Sequence, residues 1–231
     1  MTQTDKIIAS LTQLGNLERA SKSDTMCPTG MRVLGITNPD LKSVVKRFHV
    51  ENRKESKDFF VSIAKELVDS RIFECQMFAW TLLDKAKLVN SLTKEEAISL
   101  EGTLDNWASV DTYGVLIFGV LWRIGTIPDK DVLNLQTSDN FWYRRLALVG
   151  TVALNLRSRG GKGDSERTIN ICRNAVTDHH DMVVKALSWA LRSLIFWDRE
   201  AVLSFLDEHY ETLHKRVLRE VNHKLHHGTK N

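Results

Sequence analysis

The sequence predicts an all-α protein, an α-solenoid built from stacked helical hairpins. Only three prolines and twelve glycines interrupt 231 residues, so long helices with short connections are favoured. Between these breakers, apolar residues recur three or four positions apart, which is the period of a helix with one buried face. The helices arrive in pairs about every 35 to 40 residues, the spacing of a helical repeat rather than of a four-helix bundle.

The expected helices follow one another along the whole chain, and several begin at residues that cap helices well. Thr93 precedes the helix expected from Lys94, and Pro39 occupies a first helical position after Asn38. An apolar run follows Asn140 in the same way. The expected helices span residues 5–18, 39–48, 56–70, 72–88, 94–107, 111–124, 140–157, 165–176, 182–197 and 200–225.

Length and composition predict one cytoplasmic domain. A chain of 231 residues is near the upper limit of one hydrophobic core, so we expect a single domain over residues 1–231 with a frayed tail from about residue 226. The three cysteines are widely spaced and form no C-x-x-C pair, which indicates a reducing compartment. The most apolar segment, residues 113–122, is about half as long as a membrane span, so we expect no membrane association.

The basic residues are concentrated in the C-terminal part. From residue 141 onward, 15 Lys and Arg stand against 10 Asp and Glu, whereas the first 140 residues carry 17 against 19. An α-solenoid coils into a concave surface that holds a long ligand. The basic excess permits this surface to bind a polyanion such as nucleic acid, without requiring it.

Signatures of cofactor and metal chemistry are missing from the sequence. We find no Gly-rich phosphate loop, no G-x-S-x-G and no H-E-x-x-H motif. His223, His226 and His227 have helical spacing, but no neighbouring Cys or carboxylate completes a metal site. We therefore expect neither a cofactor nor a metal.

Side chains that could carry chemistry stand in three helical segments. In DNWASVDTYG, Trp107 and Asp111 are four residues apart, so a helical turn would place an aromatic face and a carboxylate on one side; a core Trp followed by a capping Asp is the alternative. In SDNFWYRRLALVG, Arg145 lies at the edge of an apolar stripe and suits a bidentate contact with phosphate or carboxylate; an ordinary surface Arg is the alternative. In VVKALSWALR, Trp189 shares a face with Arg192; a core Trp is the alternative.

The longest flexible stretch is RSRGGKGDS at residues 157–165. Its glycines break an otherwise helical region, and its three basic residues could contact a phosphate backbone. The alternative is a solvated connection between two helices.

Four segments, in order, resemble the AlkD-like family of bacterial DNA alkylation-repair glycosylases. MRVLGITNPDLKSVVK resembles the family's LGI-x-x-P opening, and NWASVDT resembles its W-x-S-V-D turn. SDNFWYRRLAL resembles its S-D-N-x-W-x-x-R helix, and VVKALSWALR resembles its K-A-I-x-W-x-L-R helix. The resemblance implies a superhelix of HEAT-like repeats with a concave DNA-binding face.

The resemblance also implies an active site. The family's catalytic aspartate falls on Asp111, its sugar-flanking tryptophans on Trp107 and Trp189, and its phosphate-facing arginine on Arg145. Further candidates for contacts with the DNA backbone are Arg144, Arg157, Arg159, Lys162, Lys185 and Arg192. The chain departs from the family at residues 22–30, where Met26 stands in place of an expected tyrosine, and at Asn106, where a second tryptophan sometimes occurs.

By this resemblance the protein is a metal-independent DNA glycosylase that releases N3- or N7-alkylated purines from duplex DNA in the bacterial cytoplasm, acting as a monomer without an obligate protein partner. The resemblance further implies recognition through the backbone and sugar, without a dedicated base pocket. Two other functions stay open: a non-catalytic relative that binds branched or distorted DNA, and an α-solenoid scaffold that binds a protein or peptide.

Overall fold

A computed structural model describes residues 1–229 of the chain, apart from the side chain of Asp24. Its contacts divide the chain into two compact units, Met1–Ile117 and Phe118–Asn231. Both units are helical throughout, and within residues 1–229 the extended pairing is limited to an isolated bridge between Arg32 and Ile72. None of the helices described is long and apolar enough to cross a membrane.

Most helices of the first unit begin at a side chain that accepts a main-chain N–H of the first turn, whereas the helix that begins at Phe73 has no such cap. Thr2, Thr37, Ser56 and Thr93 do so, and Thr2 and Thr93 each form a capping box with an acidic residue three positions on. The helices are α1 Gln3–Leu14, α2 Leu17–Met26, α3 Asn38–Glu51, α4 Lys57–Asp69, α5 Phe73–Lys85, α6 Lys94–Ser99 and α7 Trp107–Tyr113, with a 3-10 turn at Val89–Ser91.

The core of the first unit forms around α5. This helix packs against α3, α4 and α7, and α1 packs against α3 and α4. Phe78 and Trp80 of α5 are fully buried, and the Trp80 indole donates to the carbonyl oxygen of Leu100 at 2.7 Å. Trp80 therefore fills the core with its ring and, through its N–H, also holds the segment that leads to α7.

The second unit begins at the last residue of a π-helical stretch, Gly114–Phe118, and has two helical layers. Its helices are α8 Gly119–Arg123, α9 Asp129–Gln136, α10 Phe141–Asn155, α11 Ser165–Asn174, α12 Asp181–Leu194, α13 Arg199–Glu208 and α14 Lys215–His227, with a 3-10 turn at Arg157–Arg159. One layer runs α8, α10, α12, α14 and the other runs α9, α11, α13, each helix packing against its neighbours. Stacked helical hairpins of this kind are an α-solenoid arrangement, so the predicted fold class is confirmed.

Two helices are missing from the sequence prediction. The helices α2 and α9 each bury a single apolar side chain, Ala20 and Val132 respectively. A helix that buries one residue has no apolar stripe, so hydrophobic periodicity cannot reveal it.

Four expected helices have a boundary that is wrong by four residues or more. The one expected at 5–18 ends at Leu14, and the one expected at 111–124 belongs to a helical run that already begins at Trp107. The one expected at 94–107 ends at Ser99, because Gly102 turns the chain with a φ of 66°. The one expected at 200–225 is interrupted by a turn, and His214 starts α14 by accepting the N–H of Arg216.

The last helix reaches His227, and Gly228 caps it in the left-handed region. Residues 226 and 227 of the expected frayed tail are thus helical, while Lys230 and Asn231 lie outside the described residues. A single domain over residues 1–231 stays a prediction.

Candidate functional site

Trp107 and Asp111 lie one turn apart on α7, as their spacing predicts. Trp107 is 40% exposed, so it is not a core tryptophan. Asp111 is half-buried and lies inside α7, not at its N-cap. The cap is Asn106, which is 1% exposed and accepts the N–H of Ser109 at 2.9 Å.

The start of α7 is held by buried amide side chains. The Gln76 amide donates to the Thr103 carbonyl at 2.9 Å and to the Ser109 hydroxyl at 3.1 Å, and its oxygen accepts the Thr103 N–H at 2.7 Å. Asn106 also donates to the Ser109 hydroxyl at 2.9 Å. Because Gln76 and Asn106 are buried and hydrogen-bonded, they fix the direction in which α7 begins.

Residues 26–30, where the sequence departs from the family pattern, are hydrogen-bonded to the residues at the start of α7. The Trp107 indole donates to the Met26 carbonyl oxygen at 3.2 Å, and the Cys27 thiol donates to Asn106 Oδ1 at 3.2 Å. Asp105 accepts the Thr29 hydroxyl at 2.7 Å and the Gly30 N–H at 2.6 Å. This segment therefore forms a fixed wall beside Trp107.

The pKa shifts of Cys27 and Asp105 agree with these hydrogen bonds. Burial raises the pKa of the Cys27 thiol, and the negative charges of Asp105 and Asp111 raise it further, so the thiol stays protonated and able to donate. Burial would also raise the pKa of Asp105, but hydrogen bonds from Gly30, Asn106 and Thr29 outweigh it and lower that pKa. Asp105 is therefore a charged anchor at neutral pH.

The LGI segment, Leu34–Ile36, is held by one buried carboxylate. Glu74 of α5 is 4% exposed and accepts the N–H groups of Leu34, Gly35 and Ile36 at 2.9, 2.7 and 3.2 Å. Gly35 has a φ of 77°, and a Cβ there would lie 2.2 Å from the carbonyl oxygen of Asn16. The close approach of α2 thus explains why this motif contains a glycine.

A cavity of about 490 Å³ opens beside Trp107 and Asp111 within the first unit. Its floor contains the buried side chains Leu41 and Met77, and its rim contains the exposed Met26. The remaining lining residues are Arg19, Lys22, Ser23, Cys27, Thr29, Val33, Gly35, Ile36, Asn38, Phe73, Glu74, Ala108 and Thr112. The cavity brings the exposed aromatic ring and the carboxylate of α7 to one concave surface.

The other two residues of the expected active site lie in the second unit. Arg145 of α10 is 5% exposed and donates to the carbonyl oxygen of Met182, in the first turn of α12. Trp189 of α12 is half-buried. Neither is an ordinary surface or core side chain, because Arg145 is a buried cation and Trp189 keeps part of its ring accessible.

Three expected backbone contacts are engaged within the second unit. Arg144 forms an ion pair with Asp178 at 2.6 Å and donates to the Ser138 carbonyl at 2.8 Å. Lys185 forms an ion pair with Asp181 at 2.7 Å. Arg192 is paired with the buried Glu220 at 3.8 Å, and burial lowers the pKa of the Arg192 guanidinium. Their contact with DNA stays a prediction.

The glycine-rich stretch at residues 157–163 presents the remaining basic residues. Arg157 is exposed and lies over the Phe196 ring at 4.6 Å, Arg159 is half-buried, and Lys162 is exposed. Lys162 also lines a second cavity of about 300 Å³ together with Arg123 and Arg167. Asp164 lines the same cavity and forms an ion pair with Arg167 at 2.7 Å, and Arg123 donates to the Ala153 carbonyl at 2.8 Å, so Lys162 is the cation there that could receive a phosphate group.

Sequence reasoning found the side chains expected to face the substrate and missed those that hold them. Glu74, Gln76 and Asp105 were not singled out, although Glu74 holds the LGI segment and the other two each make at least two hydrogen bonds to the segments beside α7. A polar residue at a helical position that belongs to the buried face, as in Glu74 and Gln76, is the signal that could have revealed them. No group of three or more potential metal ligands occurs within residues 1–229, and metal-independent chemistry stays a prediction.

Comparison with known proteins agrees with the motifs. The model of the family described as DNA alkylation repair enzyme matches residues 7–225. A solved structure described as a predicted DNA alkylation repair enzyme from Enterococcus faecalis superposes with a TM-score of 0.70 at 20% identity, covering 90% of this chain and 95% of that one. No curated protein matches the chain. Because the family match spans nearly its whole length, the chain belongs to the DNA alkylation repair enzyme family.

Proposed function

We propose that the protein is a DNA glycosylase that hydrolyses the N-glycosidic bond of N3- or N7-alkylated purines in duplex DNA. The observation that carries the proposal is the pair on α7: a half-buried carboxylate, Asp111, one turn from an exposed indole, Trp107, both lining one cavity. Membership of a DNA alkylation repair family supports the class of substrate.

The reaction needs little catalytic help at the leaving group, the alkylated base. Alkylation at N3 or N7 gives the purine a positive charge, so the electron pair of the breaking C1′–N bond neutralises the base as it departs. A proton donor for the base is therefore unnecessary. What needs stabilising is the sugar, which becomes an oxocarbenium-like cation.

Asp111 is suited to that task. Its carboxylate would oppose the positive charge that develops on the sugar and accept the proton of the water that attacks C1′. The face of Trp107 would stabilise the same cation, and this attraction strengthens when DNA excludes water from the site. By the family resemblance, Trp189 has the same role toward the sugar, and Arg145 holds a phosphate.

The fixed wall at residues 26–30 supports this assignment. The Trp107 indole N–H is tied to the main chain at Met26, so the ring plane is set before DNA binds. A preorganised group stabilises a transition state without paying for its own ordering at that moment.

The experiment is base release from a duplex that carries one N7-methylguanine, in EDTA, with abasic sites counted after alkaline cleavage. The wild type is expected to release the base, and Asp111→Asn is expected to lose at least about a hundredfold in rate, the usual effect of removing a catalytic acid–base or charge-stabilising group. Asp207→Asn, an exposed carboxylate on α13, is the matched control and should release the base at the wild-type rate.

Other outcomes favour the alternatives. Binding of this duplex without release by either protein would indicate a non-catalytic DNA-binding relative. Absence of DNA binding would indicate the protein-binding scaffold.

A further inference from the structure

We propose that an exposed aromatic pair of the second unit, Phe196 and Trp197, binds single-stranded DNA together with the glycine-rich stretch beside it. An unpaired base of the strand stacks on Phe196, and Lys162 receives a neighbouring phosphate. None of the residues proposed for catalysis takes part, so this inference does not rest on the glycosylase function.

Phe196 presents an aromatic ring to solvent just after the end of α12. It is 64% exposed, more than any other Phe or Trp among residues 1–229. The Arg157 guanidinium lies over the ring at 4.6 Å from its centroid, and the Trp197 ring meets it edge-on at 5.1 Å. These contacts orient the Phe196 ring and leave much of its surface open to another planar group, such as a nucleic-acid base.

Trp197 joins this aromatic pair to the glycine-rich stretch. Its indole N–H donates to the carbonyl oxygen of Asn155 at 2.8 Å, which fixes the ring while 37% of the residue stays exposed. Gly163 packs against the same ring so closely that a Cβ there would lie 2.7 Å from Trp197 Cγ. The aromatic pair and the stretch therefore form one continuous surface.

The stretch gives this surface a positive charge. Residues 157–163 contain three cations and no carboxylate, and Lys162 among them is exposed. Lys162 lines the cavity of about 300 Å³ together with Arg123. Burial lowers the pKa of the Arg123 guanidinium, and no carboxylate among the described residues offsets this effect. Asp164, which also lines the cavity, is paired with Arg167 at 2.7 Å, so the surface favours an anion.

An exposed ring beside unpaired cations fits an unpaired strand better than a duplex. The bases of a duplex are stacked on one another, so a protein ring can take a base only where the strand is single. Proteins that bind single strands combine a positively charged surface along the backbone with aromatic rings on which bases stack. Membership of a DNA alkylation repair family supports DNA as the nucleic acid.

The first test measures stacking. Fluorescence anisotropy follows the binding of the full chain to a labelled oligothymidylate of about ten nucleotides, which forms no base pairs. Phe196→Leu keeps an apolar side chain but removes the ring, and we expect it to weaken binding at least about fivefold, the lower end of the effect of losing one stacked base. Phe196→Trp should restore the wild-type affinity, because the larger ring also stacks.

The matched control is Tyr210→Leu. Tyr210 is a 61% exposed aromatic residue beyond the C-terminal end of α13, whereas Phe196 lies before the start of that helix. Tyr210→Leu should therefore bind the oligothymidylate as the wild type does. The replaced side chains are exposed, so we expect all these variants to fold, and circular dichroism checks their thermal transitions.

The second test separates charge from stacking. Lys162→Gln is expected to weaken binding and to reduce the magnitude of the slope of log K against log salt by about 0.7, the value for one phosphate contact with a single strand. Phe196→Leu should leave this slope unchanged, because a stacked base releases no counterion.

Several results would overturn the proposal. One is that the wild type does not bind oligothymidylate, and another is that Phe196→Leu binds it as tightly as the wild type does. An equal loss of affinity for intact duplex in Phe196→Leu would show that the ring does not recognise unpaired bases. Tighter binding of oligouridylate than of oligothymidylate would overturn the assignment to DNA. The strand carries no lesion, so these results are independent of whether the protein releases alkylated bases.

Discussion

Asp105 is the residue through which the segment before α7 is joined to residues 29–30. Its carboxylate accepts hydrogen bonds from the Thr29 hydroxyl, the Gly30 main-chain N–H and the Asn106 side-chain amide. Charged acceptors make stronger hydrogen bonds than neutral ones, so this single side chain stabilises the wall beside Trp107.

Replacement of Asp105 by Asn is expected to lower the free energy of unfolding by about 1–2 kcal/mol at neutral pH. The folded-state pKa of Asp105 is lower than that of the unfolded chain, near 3.9, so its contribution is complete above the unfolded value and disappears as the pH falls through the folded one. Urea denaturation of both proteins from about pH 7 down to about pH 3 measures this, and the two midpoints should converge at the acid end. A difference that stays constant with pH would contradict it.

The sequence predicts the residues that face the cavity better than it predicts the residues that hold the site in place. Trp107 and Asp111 could be placed on one face because helical spacing is periodic. Gln76 and Glu74 act across 27 to about 40 residues of sequence, and each is a single polar side chain with no periodic partner. Their roles depend on which loops fold against α5, and local patterns contain no such information.

At the scale of elements, the LGI segment is a junction between α2, α3 and α5. The main chain of α2 approaches Gly35 so closely that a Cβ there would also lie 2.5 Å from the Ala20 nitrogen. Both conflicting atoms belong to the backbone, so the neighbouring helix would have to shift.

Gly35→Ala is therefore expected to destabilise the protein by roughly 3 kcal/mol, from overpacking together with a strained left-handed backbone. Gly125→Ala is the matched control, because Gly125 also has a positive φ, 85°, but a Cβ there meets nothing within 4 Å. The control should lose only about 1 kcal/mol, the cost of the backbone conformation. Chemical denaturation followed by circular dichroism compares the two variants. An equal loss of unfolding free energy in both would show that the close approach of α2 does not add to the cost at Gly35.

Helices with a continuous apolar stripe were predicted correctly in position, as α4, α5, α10 and α12 show. Each buries many apolar side chains in its unit. The helices that were missed, α2 and α9, are amphipathic only in the weak sense that one residue is buried. For them, tertiary contacts with neighbouring helices decide the structure, and these are not encoded in a local period.

At the scale of the whole molecule, several basic side chains of the C-terminal part are engaged in ion pairs. Arg144, Arg167, Arg173, Lys185, Arg192 and Arg216 each have an acidic partner within 4 Å. The count of 15 basic against 10 acidic residues already allows for this neutralisation, but it does not show which basic side chains are engaged. The ion pairs show that these six are the less suitable candidates for contacts with DNA.

The glycine-rich stretch, residues 157–165, is expected to provide one of the positive charges that contact DNA. If Lys162 contacts a phosphate, Lys162→Gln should lower affinity for undamaged duplex and reduce the magnitude of the slope of log K against log salt by about one, since one fewer counterion is released. Lys6→Gln, on the exposed side of α1, is the control and should leave the slope unchanged. Fluorescence anisotropy over a range of salt concentrations measures both, and identical slopes for Lys162→Gln and the wild type would exclude a phosphate contact there.

Two of the attachments of residues 26–30 to α7 are made by main-chain atoms, the Met26 carbonyl and the Gly30 N–H. A main-chain atom persists whatever side chain stands at its position. The exposed side chains of Lys22, Thr25 and Met26 can therefore drift in evolution while the indole of Trp107 keeps its anchor. Under the proposed function, a library of variants confined to these three positions is expected to change which lesions are accepted while Trp107 and Asp111 keep their places on α7.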